Sequence, residues 1–400
     1  MNISNLRKEV RADSSVAIIA DVESKKFGKN TIWSAVPNKY EKYLTYDRYD
    51  GFLVALLYPA MVFNENIKVE GKVSKRLLRN ITTYVEDILL AYNPQLHRIT
   101  VTAKKTNSDV LLSAEHIGTG FSGGIDSFST IYNNYVLEQD PEYKIDTLVI
   151  LNVGSHGKYT DKKTVGLFKS RYNFLKKYPK IVKLPFIPVD SNIHFYYKEW
   201  DRHMLTLGLN LAAGILVLQG KLKKYYVASA GYNYDQWIDV ATQKRNFSLD
   251  GFCDPFLIHL LSTETTEFIL DGMQHTRVQK TINVSNYPLT RQFLDICWFD
   301  EPQKKGCGVC EKCARVGLTL STVGKLDEYK DVFNVEVFRK NEQRLMCNAV
   351  LNYKKDIFMR DIVDFAKENG KKYPPYFTVL AKNKIMRLKN TVAKIFNNLS

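Results

Sequence analysis

The sequence predicts an α/β protein, with a parallel sheet flanked by helices in mid-chain, an α+β domain before it and a helical extension after it. Three observations carry that expectation. From Glu115 onward, short apolar runs alternate with longer amphipathic ones, which is the pattern of βαβ units. Before that point the runs are mostly short and strand-like, and beyond Thr322 the chain turns helical and basic. The 400 residues also exceed one ordinary core, so boundaries are expected at 1–115, 116–325 and 326–400.

In the first segment Val16–Ile19, Thr31–Val36, Phe52–Tyr58 and Ile99–Ala103 are apolar or alternating and predict strands, with one helix over Lys75–Tyr92. In the second, Ile117–Phe121 predicts a strand, Asp126–Leu137 a helix and Thr147–Asn152 the next strand. A helix over Lys163–Lys177 leads to a third strand near Ile181–Phe186, and a long helix over Glu199–Gln219 feeds a fourth at Tyr225–Ser229. The uncharged stretch Met204–Leu218 falls short of a membrane span and predicts a buried helix. At the end, Lys382, Lys384, Arg387, Lys389 and Lys394 accompany an apolar stripe of Ile385, Leu388, Val392, Ile395 and Leu399, expected to dock on the protein's own core.

With 45% hydrophobic and 25% charged residues the chain is an ordinary globular protein, but its net charge of +15 favours polyanionic partners. Nucleotides, nucleic acid and an anionic membrane surface all satisfy it, as does a merely solvated lysine-rich face. Met1–Asp13 is polar and offers no secretory signal. Six cysteines, three of them in C-x-x-C-x-x-C, then point to metal in a reducing compartment, and a cytoplasmic protein is expected.

Gly120–Ser127 reads Gly-Phe-Ser-Gly-Gly-Ile-Asp-Ser, a turn between an expected strand and helix where backbone N–H groups and the helix dipole converge on an anion. It lacks the lysine with which a Walker loop reaches terminal phosphates. Gly118, Gly120 and Gly123 satisfy G-x-G-x-x-G, but the second strand ends in Val153-Gly154 rather than the acid a dinucleotide fold needs. Farther on, Cys297, Cys307, Cys310 and Cys313 offer four thiolates to a tetrahedral ion, zinc first and an iron–sulfur cluster second. Lys304, Lys305, Lys312 and Arg315 would offset their charge, while Cys253 and Cys347 predict buried structural thiols.

Ser122, Gly123, Gly124, Asp126 and Ser127 complete the motif Ser-Gly-Gly-x-Asp-Ser, on which the chain resembles the PP-loop ATP pyrophosphatases. With the cysteine spacing, the resemblance narrows to 7-cyano-7-deazaguanine synthases. It covers about Gly118 to Leu320. Gly231-Tyr232-Asn233-Tyr234-Asp235 is similar to that family's Gly-x-Asn segment, and Phe252-Cys253-Asp254-Pro255-Phe256 to its second substrate segment. Asp254 stands where the family has arginine, and Gln236–Asp250 is a long insertion.

The resemblance implies a HUP-type sheet and an enzyme that adenylates a carboxylate or similar oxygen, releases pyrophosphate and lets a nitrogen nucleophile displace AMP. It implies ATP and Mg²⁺ at Phe121, Ser122, Gly123, Gly124, Asp126, Ser127, Asn152 and Val153, with Ser122, Asp126 and Ser127 catalytic. Gly231, Asn233, Asp235 and Asp254 would meet the acceptor, a small molecule or macromolecule bearing a carboxylate, and a closed four-cysteine zinc site would be structural. Asn2 follows Met1 where PP-loop amidotransferases with an N-terminal glutaminase place a catalytic cysteine, so an internal ammonia source is not expected. Thiolation of a nucleic acid or nucleobase, with Cys253 as sulfur carrier, is the alternative. So is a component of a multi-protein bacterial defence system, its protein partners held by the terminal extensions.

Overall fold

Nine or ten extended residues build each of the first three strands, the second of them apolar over most of its length, and the computed structural model places them in one large sheet. It describes residues 1–156, 162–197, 206–242, 253–297 and 305–381. The strands are β1 (Asn2–Val10), β2 (Ser15–Ser24), β3 (Gly28–Pro37), β4 (Ile67–Ser74), β5 (Val101–Asn107), β6 (His116–Gly120), β7 (Thr147–Asn152), β8 (Phe186–Ser191), β9 (Leu222–Ala228) and β10 (Glu267–Asp271). They run in the order β10-β9-β6-β7-β8-β3-β2-β1-β4-β5. Pairing is parallel from β10 to β8, antiparallel from β8 through β3 and β2 to β1, and parallel again from β1 to β5. The protein is thus α/β, with a mostly parallel sheet flanked by helices and a helical C-terminal region.

The strands before residue 115 continue this sheet rather than closing a sheet of their own: Ser34 and Ala35 of β3 pair with Ser191 and Asp190 of β8. One apolar core likewise joins Val16, Ile18 and Leu56 to Val149, Ile187 and Val227. The described residues form two compact units. One draws on Met1–Ser122 and Asp126–Gln274, the other on His275–Phe299 and Gln303–Ser400 together with Gly123–Ile125.

Phe52–Tyr58, expected as a strand, lies in the helix Asp50–Val62. Its residues from Asp50 to Met61 are all buried, so no polar face marks the helical period. Burying Leu53, Leu56 and Leu57, each at 0% exposure, stabilises the unit by about 1.5–3 kcal/mol apiece. The helix lies against Leu207–Leu216, where a Cβ on Gly51 would come within 2.7 Å of the Ala213 carbonyl oxygen. Its first residue also anchors a buried polar joint. Ser74 N–H donates to Asp50 Oδ1 (2.7 Å), Gln219 Nε2 to Asp50 Oδ2 (2.9 Å), and Thr263 Oγ1 to Gln219 Oε1 (2.7 Å). Burial pushes the Asp50 carboxyl up to about 6, so the joint must keep its donors in place.

The third strand of the α/β half also departs from expectation, because Ile181 belongs to the short helix Lys177–Val182 and the strand begins at Phe186. The helix expected over Lys75–Tyr92 is continuous through Lys75–Asn80, Ile81–Val85 and Glu86–Tyr92, with a π turn in its middle. Met204–Leu218 gives the buried helix Leu207–Leu216, and no described helix is long and apolar enough to cross a membrane. The basic stretch after residue 381, Lys304, Phe252 and the insertion from residue 243 lie outside the described residues.

Close packing makes one glycine of β4 indispensable. A Cβ at Gly71 would lie 2.1 Å from Cε2 of Tyr49, a ring held in place where its hydroxyl accepts from Leu6 N–H (2.9 Å). Gly71→Ala is expected to cost about 1–3 kcal/mol as the ring is displaced. A lowered urea midpoint at unchanged slope would register it; an unchanged midpoint would show that the ring yields freely.

Candidate functional site

The parallel strands follow one another in chain order as β6, β7, β8, then β9 and β10, yet lie as β8-β7-β6-β9-β10. The direction of winding therefore reverses between β6 and β9, the kind of position beyond whose carboxyl ends α/β sheets bind ligands. The segments leaving these two strands are Phe121–Ser127 and Ser229–Asn233. Both coincide with motifs of the sequence.

After β6, Phe121 N–H still donates to Val149 O (2.8 Å), and the chain then turns at Gly123, whose φ of +77° favours glycine. The helix Ile125–Ile131 follows at once and runs on through Tyr132–Leu137. Ser122 is exposed and Asp126 half-buried, while Ser127 is buried and accepts from Ser122 Oγ at 3.3 Å. Asp295 N–H holds the Gly123 carbonyl at 2.8 Å. The turn has the strand–turn–helix form that an anion site requires.

Two residues expected to border the nucleotide, Val153 through its backbone, have side chains buried in the core. Phe121 is 1% exposed, its ring packed among Phe128, Tyr178 and Phe186, and Val153 is wholly buried. Only their backbones remain for a ligand. Asn152, at the end of β7, donates Nδ2 to Asp190 Oδ1 (2.7 Å), and burial holds Asp190 above the usual carboxylate range. Asn152 Oδ1 is buried with no partner among the described residues.

After β9, Ser229 N–H donates to Asp271 O (2.8 Å), and Gly231 takes φ +105°. Asn233, expected to touch substrate, caps the helix Tyr234–Thr242: Gln236 N–H donates to Asn233 Oδ1 (2.8 Å), and Gln236 Oε1 accepts from Asn233 N–H (3.4 Å). That cap fixes Trp237 one residue farther on. Asp235 is exposed on this helix and is not among the residues that line the neighbouring cleft.

Asp254 does line that cleft, together with Ser229, Ala230, Tyr232, Trp237, Pro255, Leu270 and Met273 around about 230 Å³ with its solvent mouth included. Its side chain is 5% exposed, and burial pushes its carboxyl from 3.8 up to about 7. Gly208 backs it so closely that a Cβ there would fall 2.4 Å from Oδ1. The folded state holds this proton more tightly than the unfolded chain does. Its contribution to stability is therefore full below about pH 4 and lost as pH rises through about 7, a swing of roughly 4 kcal/mol. Asp254→Asn is expected to unfold at a higher temperature than the parent at pH 8 and at the same temperature at pH 4. Equal midpoints at both pH values would mean the carboxyl is not desolvated.

In the second unit, Cys297, Cys307, Cys310 and Cys313 bring their sulfurs within 4.8 Å of one another. Sγ separations are 3.7 Å (Cys297–Cys310), 3.8 Å (Cys307–Cys313) and 3.9 Å (Cys297–Cys313). Four sulfurs each about 2.3 Å from a tetrahedral ion would stand about 3.8 Å apart, so the cluster could hold one metal ion. Backbone N–H groups of Cys310 and Cys313 point at Cys307 Sγ (3.3 Å) and Cys310 Sγ (3.5 Å), stabilising thiolate charge.

Local packing shapes that turn. Gly308 has φ +76°, and a Cβ on it would meet Asn334 O at 2.8 Å. Gly306 is bridged to Phe333 through Gly306 N–H to Val332 O (2.8 Å) and Asn334 N–H to Gly306 O (3.0 Å). Cys310 caps the helix Glu311–Thr322. Two of the expected counter-charges are otherwise engaged: Arg315 pairs with Glu311 and Asp356 and lies on the Phe358 ring, and Lys305 donates to the Lys330 carbonyl.

No family model, curated protein or solved structure matches the chain. Sequence reasoning missed Trp237, Tyr232 and Met273 as cleft walls. The Asn233-x-x-Gln236 spacing was a legible cap signal that would have placed Trp237 on the first turn of a helix.

Proposed function

We propose that this protein is an ATP-dependent enzyme of the PP-loop type, similar to 7-cyano-7-deazaguanine synthases, that adenylates a carboxylate-bearing acceptor and passes it to a nitrogen nucleophile. The observation that carries this reading is the lysine-free turn Ser122–Ser127 at the carboxyl end of β6, beside the reversal in strand order and directly ahead of a helix. The order β8-β7-β6-β9-β10 is the one expected of a HUP-type sheet. In this account Ser122, Gly123, Gly124 and Ser127 hold the departing pyrophosphate, where preorganised donors offset the charge that develops on it. Asp126 would orient the phosphates or hold a Mg²⁺ that bridges them. The acceptor oxygen attacks the α-phosphorus, the α–β bridge bond breaks, and AMP leaves when nitrogen attacks the activated carbon.

Zinc is the ion we assign to the four cysteines, as a structural centre with no open position. Sulfur separations of 3.7–3.9 Å suit a single ion, whereas a multi-iron cluster interposes its own sulfides and spreads its cysteines. Thiolation is disfavoured by the sulfur it would need. Cys253 is 5% exposed, and burial, with Asp254 beside it, pushes its thiol up to about 12. A role in a multi-protein bacterial defence system, with a macromolecular acceptor or nucleic acid as partner, is compatible with the same chemistry and with the charge of +15.

The test is pyrophosphate release over a panel of carboxylates, 7-carboxy-7-deazaguanine among them, with and without ammonia. Release that depends on one acceptor supports the reading. ATP turnover indifferent to every carboxylate, with ADP as product, would sink it.

A further inference from the structure

The cleft at the ends of β9 and β10 encloses a carboxyl group that no described residue answers. Asp254 is 95% removed from solvent, and no described residue donates a hydrogen bond or an ion pair to it. Burying a carboxylate without a partner is costly, and a fold keeps such a group where a ligand completes it. Its surroundings say which ligand. The other walls are Ala230, Pro255, Leu270 and Met273 on the apolar side and the rings of Tyr232 and Trp237 on the aromatic side, with Ser229 as a further polar group. Trp237 is held by the Asn233 cap and by Phe256, whose ring stands edge-on at 5.1 Å. Among the described residues the titratable groups around Asp254 are Cys253, which precedes it in the chain, and Tyr232, which shares the cleft, and neither carries positive charge.

We infer that this cleft binds an organic ammonium group, a protonated primary amine whose N–H donors meet Asp254 and whose charge faces the Trp237 ring. An acid and an aromatic face are the two elements that recognise ammonium cations. The apolar walls argue for an amine carrying carbon rather than for ammonia: the enclosed space admits little more than the cation's head, and the carbon lies toward the open mouth against Ala230, Pro255, Leu270 and Met273. Gly208 is part of the site, because any side chain there would drive into Oδ1. Binding stands independently of the ATP chemistry; only the further step, that this amine is the nitrogen nucleophile, rests on the proposed function.

The experiment is calorimetric titration of the full chain with n-propylammonium chloride in the absence of ATP, at pH 6 and pH 8 and constant ionic strength. Binding should tighten at least fivefold at pH 8, where the carboxyl has lost its proton and propylammonium has kept its own. Propionate should not bind at either pH. Asp254→Asn should weaken propylammonium at least tenfold at pH 8, and Trp237→Leu about fivefold, read also as loss of the tryptophan fluorescence response. Glu267→Gln, an exposed carboxylate at the far end of β10, should leave binding unchanged. No propylammonium binding by the parent protein at pH 8, or equal binding by Asp254→Asn, would overturn the inference. Because no nucleotide is present, either failure leaves the adenylation reading untouched.

Discussion

Cys313→Ser is expected to release the metal and to unfold the second unit. Cys313 is wholly buried, its sulfur 3.8 and 3.9 Å from those of Cys307 and Cys297, and it opens the helix Glu311–Thr322 within that helix's first turn. A structural ion of this kind returns much of its binding free energy as folding free energy, so its loss should cost more than about 4 kcal/mol. Besides the ion, the turn that carries the ligands is held by the Gly306 bridge to Phe333 and by the packing of Gly308, at φ +76°, against backbone atoms of Asn334 and Phe338. Metal analysis should fall from one ion per chain to none, and limited proteolysis should cut between residues 305 and 381 while the sheet stays protected. Retention of one ion with unchanged protease resistance would show that three sulfurs suffice.

Asp126→Asn should lower the rate of pyrophosphate formation by about 10²–10³-fold, the scale on which removal of one charge-organising group is felt in a preorganised site. The residue is half-buried at the head of the helix Ile125–Ile131, so the substitution should leave the thermal midpoint nearly unchanged. Ser122→Ala, which also removes the hydroxyl that donates to Ser127, should produce a smaller loss. An Asp126→Asn protein with the parent's rate would remove the turn from the chemistry.

What the sequence disclosed follows the range of each interaction. The turn at Ser122–Ser127, strand β7 and the cysteine spacing are local patterns, and they were legible because a strand–turn–helix and a C-x-x-C-x-x-C knuckle are written in consecutive residues. The helix Asp50–Val62 was not legible as such, because burial on all sides erases its period. The joining of β3 to β8 lies between segments far apart in the chain, and no periodicity encodes it. The same holds for the cleft. Asp254 was legible as an acid in place of a base, yet its burial, its lack of a partner and the glycine at 208 behind it arise only when β9, β10 and three helical segments meet. Asn233 shows the reverse case, a residue whose family resemblance suggested substrate while its side chain serves the helix it begins.

The central claim concerns where ATP is cut, and nucleotide product analysis addresses it directly. The purified protein is incubated with ATP, Mg²⁺ and the carboxylate that best stimulates turnover, and the products are separated by ion-exchange chromatography. AMP and pyrophosphate are expected in equal amounts, and Asp126→Asn should abolish both. ADP and orthophosphate from the same reaction, lost with the same substitution, would contradict it.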